Sequence, residues 1–383
     1  MSEKRRDNKG RILKTGESQR SDLSYQYRYV DLSGKRVSVY ASTLNDLRAK
    51  EKEIQAKLEK GLSTTKGSMP LVQLVEEYLS LKQNLRETSK STYGIMFRRL
   101  QSDPFGQTPI GNIKPLDVRK WLISLHNKGY AYNTLVYYKG LMKSSYAMAI
   151  ENDYVLKNPF AIKMDFIPNN TKSRDALTES EQARFFDYLA GSRHAKYIDM
   201  CTILIETGIR VGEFCGLTIG DVDLENKTLN ITHQVTRVGS VIKTDSPTKT
   251  ASGKRTIPLT PKAFDAFKNA IDHRLSKIED PSLDTKKILV FETRYGNSYR
   301  TDTMDMLFGS IRRGYEKENL DLPKITPHIL RHTFCTNMIN LGMPPKHVQY
   351  LMGHHDVNIT MNIYTSADVS QVSKSMRILS LID

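Results

Sequence analysis

Polar and apolar residues alternate with a period of two near the beginning of the chain. Tyr25, Tyr27 and Tyr29 alternate with polar residues, and a Leu-Ser-Gly-Lys turn separates them from a second alternating run. This pattern predicts a β-hairpin with the three tyrosines on one face. Over residues 44–58 the apolar spacing changes to three and four, which predicts a helix that covers the sheet. We therefore predict a small α+β module of the ββα type over residues 1–66.

The next region has helical spacing throughout. Four or five amphipathic helices are predicted in residues 69–162, including LVQLVEEYLSLK, TSKSTYGIMFRRL, KPLDVRKWLISLHNKG and NTLVYYKGLMKSSYAMAIEN. No strand pattern competes, so this region is predicted to be an all-α domain. The segment before it, GLSTTKGS at 61–68, has the small polar composition of a flexible linker.

A third region of mixed character follows, over residues 175–383. Thr178 and Glu181 form a capping-box pattern at the start of a helix. The stretch CTILIETGIRVGEFCGL then predicts an apolar helix, a break at Gly208 and a second helix start. Short alternating runs with Gly-containing turns over 224–259 predict strands. We predict a mainly α domain of the α+β class.

Near the C-terminus, the sequence predicts a helix with a basic face. Thr326 is a suitable N-cap, and Pro327 suits the first helical position. His328, Arg331 and His332 follow at spacings that place them on neighbouring positions of one face. The positive end of the helix dipole strengthens this face, which is therefore suited to an anion.

A second helix is predicted to begin at Pro344 or Pro345 and to end at Gly353. His354 would then lie on a turn just after the helix. Tyr364 follows His354 by ten residues, in a short apolar segment.

Composition changes this picture by indicating the partner. The chain has 383 residues, with 57 Lys and Arg against 42 Asp and Glu, and a formal net charge of +15. Such a surface attracts polyanions, and the basic residues are interleaved with 19 tyrosines, which suits stacking and phosphate contact. Cys201, Cys215 and Cys335 fit no disulfide or zinc spacing and are expected to be reduced core residues of a cytosolic protein. We see no signal peptide and no membrane-spanning run.

Two segments together resemble the signature boxes of the tyrosine recombinases, the phage integrase family. The second box is matched by His-x-x-Arg at 328–331, by Leu-Met-Gly-His at 351–354 and by Tyr364. The first box is matched by ETGIRVGEF around Arg210, with Phe214 where a Leu is commoner. The ten-residue distance from His354 to Tyr364 is one longer than in many recombinases.

The resemblance covers residues 69–383 and implies a helical core-binding domain followed by a catalytic domain. The module at 1–66 is most similar to the N-terminal DNA-binding domains of integrases from conjugative transposons. The catalytic residues that the resemblance implies are Arg210, Lys249, His328, Arg331, His354 and the nucleophile Tyr364.

These residue types suit phosphoryl transfer without a metal or cofactor. Arg210 and Arg331 would grip the non-bridging oxygens of one phosphate. Tyr364 would attack phosphorus to give a 3′-phosphotyrosine and a free 5′-hydroxyl. The resemblance implies that a hairpin Lys is the general acid, which is Lys249, with Lys254 across the turn as a rival.

The resemblance also implies partners. We expect double-stranded DNA with core and distal arm-type sites, a homotetramer on two duplexes, and an accessory directionality protein. The tail at 366–383 is expected to pack on a neighbouring copy. The expected location is the cytoplasm of a bacterium, in association with the nucleoid.

Three alternatives remain. A metal-dependent nuclease would use His328, His332, His354 and His355, but nearby arginines would repel the cation. A non-catalytic basic DNA-binding protein would fit the composition and leave both boxes unexplained. A type IB topoisomerase shares the chemistry but relaxes DNA rather than exchanging strands.

Overall fold

The structure is a computed structural model. It describes residues 5–31, 34–59, 61, 63–83, 85–169, 175–238, 241–247, 253–278 and 284–364. The chain divides into two compact units, residues 1–172 and 173–383. The proposed boundary between 1–66 and 69–162 falls inside the first unit and stays a prediction.

The N-terminal module is a three-stranded antiparallel sheet covered by one helix. Its elements are β1 (Glu17–Gln19), β2 (Tyr25–Val30), β3 (Arg36–Ala41) and α1 (Leu44–Glu59). The strand order is β1-β2-β3. The predicted hairpin and helix are therefore confirmed. β1 was not predicted, because its sequence, ESQ, has no apolar alternation.

The tyrosines of β2 face the core of this module. Tyr25 and Tyr27 are only 3% and 7% exposed, and they cluster with Leu44 and Leu47 of α1. The tyrosine face is thus the apolar face that α1 covers. The expectation that interleaved tyrosines serve nucleic-acid stacking is wrong for these two residues.

The segment predicted to be a flexible linker makes several hydrogen bonds. The buried carboxylate of Asp31, just after β2, accepts hydrogen bonds from Thr64 N at 3.2 Å, Thr65 Oγ1 at 2.9 Å and Ser63 Oγ at 3.3 Å. Ser63 N in turn donates to Asp153 O, at the end of the helical region, at 2.9 Å. These bonds connect residues 63–65 to both modules, and the interpretation of 61–68 as a flexible linker stays a prediction.

The helical region has the predicted elements. They are α2 (Leu71–Ser80), α3 (Glu87–Gln101), α4 (Pro115–Asn127) and α5 (Tyr132–Glu151). Their apolar stripes meet in one cluster around Trp121, Tyr138 and Phe160, whose rings pack edge to face. The all-α prediction for this region is confirmed.

The second unit is mainly helical, with two small sheets. Its helices are α6 (Glu179–Gly191), α7 (Ile198–Thr207), α8 (Val211–Gly216), α9 (Pro261–Leu275), α10 (Thr301–Lys317), α11 (Pro327–Asn340), α12 (Pro345–Met352) and α13 (Val357–Tyr364). Its strands are β4 (Val222–Asp223), β5 (Thr228–Ile231), β6 (His233–Val238), β7 (Val241–Pro247) and β8 (Arg255–Pro258). One antiparallel sheet has the order β4-β5-β8, and β6 pairs with β7.

The core of this unit surrounds α7, whose Cys201 and Leu204 are fully buried. Cys215 and Cys335 are also buried and unpaired, as predicted. Among the described residues, no helix is long and apolar enough to cross a membrane.

Candidate active site

The break between α7 and α8 positions Arg210. Gly208 ends α7 with a φ of 62°, in the left-handed region that favours glycine, and a Cβ there would overlap the Phe334 ring of α11. The chain then turns so that Arg210 becomes the N-cap of α8, while Glu213 lies three residues later. Because α11 approaches so closely, position 208 requires glycine. The turn at Gly208 in turn sets the position of the Arg210 backbone.

Helix α11 carries Arg331 into the interior. The Thr326 side chain accepts a hydrogen bond from Ile329 N at 3.2 Å, which confirms the predicted cap. Arg331 is 6% exposed, whereas His328, one turn earlier, is exposed. The Arg331 guanidinium donates to Gly208 O at 2.5 Å and to Met352 O at 2.6 Å.

Three arginines meet at the C-terminal end of α12. Arg255 Nε donates to Leu351 O at 2.7 Å, Arg331 Nη2 to Met352 O at 2.6 Å, and Arg210 Nη2 to Gly353 O at 2.5 Å. The last carbonyls of a helix lack intrahelical partners and carry partial negative charge, so they suit cationic donors. The helix end therefore gathers guanidinium groups from three distant parts of the sequence.

Glu213 lies between two of these arginines and is 1% exposed. Its carboxylate accepts hydrogen bonds from Arg210 N at 2.9 Å, Arg210 Nη1 at 2.7 Å, Arg255 Nη1 at 3.2 Å and Arg255 Nη2 at 2.9 Å. Burial alone would raise the pKa of Glu213, but the bonds to Arg255 and the charges of both arginines hold that pKa below its ordinary value. The carboxylate is therefore ionised, fully satisfied and able to fix both guanidinium groups.

The site keeps an excess of positive charge. Burial, aided by the charge of Arg210, lowers the pKa of Arg331 to about 9, so Arg331 stays protonated at neutral pH. Three guanidinium groups and one carboxylate leave two positive charges in a largely buried region. An uncompensated charge of this kind is costly away from water, and perturbed groups of this kind mark functional sites. An anionic ligand such as a DNA phosphate would compensate it.

His354 follows this helix end directly. Gly353 ends α12 with a φ of 62°, as predicted, and His354 lies in the turn before α13. Burial, together with the charges of Arg331, Arg210 and Arg255, lowers the pKa of His354 to about 3. The imidazole is therefore neutral at pH 7, and its Nδ1 lies 3.0 Å from the hydroxyl oxygen of Thr360.

The structure brings together Arg210, Arg331 and His354 from the six predicted site residues. His328 lies in the first turn of α11, and Tyr364 is the last residue of α13. Lys249 lies outside the described residues. Its rival Lys254 is exposed, immediately before the buried Arg255.

Sequence reasoning missed Arg255 as a part of this site. The sequence did contain an indication, because side chains alternate between the two faces of a strand. In β8, Arg255 lies on the same buried face as Ile257. A charged residue on an inward face needs a buried partner. Here Glu213, 42 residues earlier, is that partner. For Thr360 we find no signal, since an isolated threonine in a short helix is common.

The surroundings of His354 also bear on the nuclease alternative. Its charged neighbours are guanidinium groups, which would repel a divalent cation. Among the described residues, no group of three His, Cys, Asp or Glu side chains is arranged to hold a metal ion.

Comparison with known proteins identifies the class to which this fold and site belong. Residues 175–371 match the phage integrase family, and residues 1–84 match the DNA-binding domain of Tn916 integrase. The chain therefore belongs to the phage integrase family, whose members are tyrosine recombinases that break and rejoin DNA strands.

Three of the similar proteins come from transposons. The transposase from transposon Tn1545 of Streptococcus agalactiae is 36% identical over 399 aligned positions, covering 99% of this chain and 98% of the relative. The transposase from transposon Tn916 of Enterococcus faecalis has the same identity and coverage. The integrase of transposon Tn1549, in complex with a circular intermediate DNA, is 32% identical with a TM-score of 0.74, covering 82% of this chain and all of that one.

Proposed function

We propose that this chain is the integrase of a mobile element, and that Tyr364 cleaves one DNA strand at a specific site. The observation that carries this proposal is the meeting of Arg210, Arg331 and His354 at the end of α12. Helix α13 begins at Val357, just after His354, and ends at Tyr364. One phosphate beside the helix end would meet two guanidinium groups, an imidazole and the attacking hydroxyl.

The two arginines would act on the phosphate as it reacts. A phosphodiester carries one negative charge, and further charge develops on its oxygens when a nucleophile adds. Arg210 and Arg331 are held by Glu213 and by backbone carbonyls before the DNA arrives, so little reorganisation is needed during reaction. Preorganised donors of this kind stabilise a transition state more than a substrate.

The proposed step exchanges one phosphodiester bond for another. The Tyr364 oxygen attacks phosphorus and gives its proton to solvent, the bond from phosphorus to the 5′-oxygen breaks, and the 3′-phosphate stays joined to the tyrosine. Lys249 gives a proton to the departing 5′-oxygen. His328 and His354 donate hydrogen bonds to the phosphate.

The energy of the broken phosphodiester bond is retained in the phosphotyrosine ester, so rejoining needs no ATP. A 5′-hydroxyl from a second duplex can attack the phosphotyrosine and reverse the step. Exchange between two duplexes involves four strands, and each copy supplies one nucleophile. We therefore include a homotetramer on two duplexes in the proposal, with an accessory protein that sets the direction of the reaction.

The N-terminal module is proposed to bind distal arm-type DNA sites while the helical region and the catalytic unit bind the core site. The match of residues 1–84 to the DNA-binding domain of Tn916 integrase supports this division of labour. A basic chain with a net charge of +15 suits two separate contacts with DNA. We place this activity in the bacterial cytoplasm, where chromosomal DNA lies.

A nicked suicide duplex tests the proposal. The short strand beyond the cleavage site diffuses away after attack, so the covalent complex accumulates and survives SDS. We expect wild-type protein to form it, peptide mapping to find the DNA on Tyr364, and Tyr364→Phe to bind DNA without forming it. An adduct with the Phe variant would assign the nucleophile to another residue.

A further inference from the structure

The hydrogen bond between His354 and Thr360 connects the phosphate-binding end of α12 to the helix that bears Tyr364. The distance from His354 Nδ1 to Thr360 Oγ1 is 3.0 Å, and the Thr360 side chain is fully buried on α13. Position 364 is one helical turn beyond position 360, on the same side of the helix. The bond therefore lies between two elements that the reaction needs in register.

We infer that Thr360 is a positioning residue of the recombinase: its hydroxyl sets the tautomer of His354 and fixes α13, and hence Tyr364, against the phosphate site. The inference rests on the proposed function, since it concerns how that site is assembled. Thr360 itself touches neither the phosphate nor the DNA in this role.

A threonine hydroxyl can donate to an imidazole nitrogen or accept from it, and here the Thr360 hydroxyl is taken as the donor to His354 Nδ1. A neutral imidazole has one N–H donor and one acceptor nitrogen. When the Thr360 hydroxyl donates to Nδ1, the proton of His354 must reside on Nε2. Nε2 then donates a hydrogen bond, which is the form that a phosphate oxygen accepts. The opposite tautomer would present a lone pair to an anion, and the two would repel each other.

Burial, together with the charges around His354, lowers the pKa of the ring and keeps it neutral, and this neutrality makes the tautomer matter. Arg331 on α11, Arg210 before α8 and Arg255 on β8 all disfavour an imidazolium, as does the adjacent His355. A protonated ring would donate from both nitrogens whatever Thr360 did. Because the ring is neutral, the partner of Nδ1 decides what Nε2 can do.

The same bond addresses the long interval between His354 and Tyr364. An extra residue between them would displace the nucleophile if the intervening chain were loose. In the structure α13 begins at Val357, and Thr360 is anchored to His354. The register of the nucleophile helix is thus set by a contact rather than by the number of residues in the turn.

Thr360→Val tests the inference, because valine keeps the shape and removes the hydroxyl. We expect formation of the covalent complex on a nicked suicide duplex to slow roughly 10- to 100-fold, as for a slightly misplaced reacting group. Affinity for the DNA should be unchanged. Thr360→Ser, which keeps the hydroxyl, should restore most of the rate.

Thr336→Val is the matched control. Thr336 Oγ1 lies 3.5 Å from His332 Nδ1 on α11, so this variant removes another threonine hydroxyl beside a histidine in the same unit. We expect it to cleave at the wild-type rate. If Thr336→Val and Thr360→Val slow cleavage equally, the effect is a general loss of packing and the inference fails. It also fails if Thr360→Ser is as slow as Thr360→Val.

A second readout is independent of cleavage. Long-range ¹⁵N–¹H spectra of histidine-labelled protein distinguish the two neutral tautomers, and His354→Gln identifies the signal. We expect the Nε2–H form in wild type and a mixture in Thr360→Val. An unchanged tautomer in Thr360→Val would overturn the inference and leave the assignment of Tyr364 untouched. An adduct formed by Tyr364→Phe would overturn that assignment and leave the tautomer result standing.

Discussion

Arg255 is a fully buried cation whose role is to hold other groups in place. Its guanidinium binds both oxygens of Glu213, and it also donates to Leu351 O and Gly253 O. Because Glu213 also binds Arg210, the position of Arg210 depends on a residue that is 45 positions away in sequence.

Arg255→Met should destabilise the second unit by about 3–5 kcal/mol, because the buried Glu213 carboxylate keeps only half of its hydrogen-bond donors. Trp121, the one tryptophan of the chain, lies in the first unit and serves as an internal reference. Urea unfolding followed by circular dichroism should therefore shift to lower urea, while the Trp121 fluorescence transition stays in place.

The double variant Arg255→Met with Glu213→Gln provides the control. A neutral amide needs less compensation than a carboxylate, so part of the lost stability should return. Adding Glu213→Gln to Arg255→Met could instead lower the stability further, by as much as the loss of an independent interaction. That result would mean that the two residues act independently, contrary to the structure.

At this scale, the motif residues could be predicted and their supporting residues could not. Arg210, Arg331 and His354 stand in recognisable local patterns. The contacts of Arg255 span 42 and 96 residues, and no local pattern encodes which distant carboxylate or carbonyl a strand residue will meet. The sequence could indicate only that Arg255 lies on the buried face of β8.

Helix α12 contributes to the site the backbone carbonyls at its C-terminal end, which accept hydrogen bonds from the three arginines. Gly353 allows this end to form, since its φ is 62° and a Cβ there would lie 3.0 Å from Arg255 Nη1 and 3.1 Å from Arg210 Nη1. Gly342, after α11, has a similar φ of 78° but no atom within 4 Å of an added Cβ. An alanine at either position would strain the backbone, but only an alanine at 353 would also crowd the arginines.

Gly353→Ala and Gly342→Ala should each cost about 1–2 kcal/mol of stability, the cost of a left-handed residue with a side chain. Only Gly353→Ala should also slow cleavage, about 10-fold or more, because it pushes the guanidinium groups from their positions. Thermal melts and single-turnover cleavage measure the two effects separately. Equal cleavage rates for the two variants would mean that the end of α12 does not position the arginines.

The elements themselves were largely predictable. Both helix starts at Thr326 and Pro345 and both glycine stops at Gly208 and Gly353 follow from local chemistry, so the sequence indicates them. Strand β1 was missed because its three residues pair with β2 without an apolar pattern. Short edge strands depend on their neighbours for stability, and those neighbours are not visible in a local window.

For the whole molecule, the contacts at the junction inside the first unit are what the sequence did not reveal. Composition indicated a flexible tether at 61–68, but composition does not report which polar side chains find partners. Asp31 is 3% exposed and satisfies three donors of this segment, and Tyr29 donates to Thr64 Oγ1 at 2.8 Å. The N-terminal module is therefore connected to the helical region through a defined set of hydrogen bonds.

A fixed junction predicts that the spacing between arm-type and core sites matters, provided that the N-terminal module binds DNA as proposed. Inserting about 5 bp turns one site to the opposite face of the duplex, since a helical turn is about 10 bp. Wild-type protein should then lose most of its affinity advantage on two-site DNA. Asp31→Ala should lose less, because a loosened tether can reach either arrangement.

Asp22→Ala is the matched control, since it removes one carboxylate from an exposed turn of the same module, where its bonds go to Ser24. Gel-shift titrations on duplexes with and without the insertion measure the effect, and equal sensitivity of the two variants would show that Asp31 does not maintain the junction.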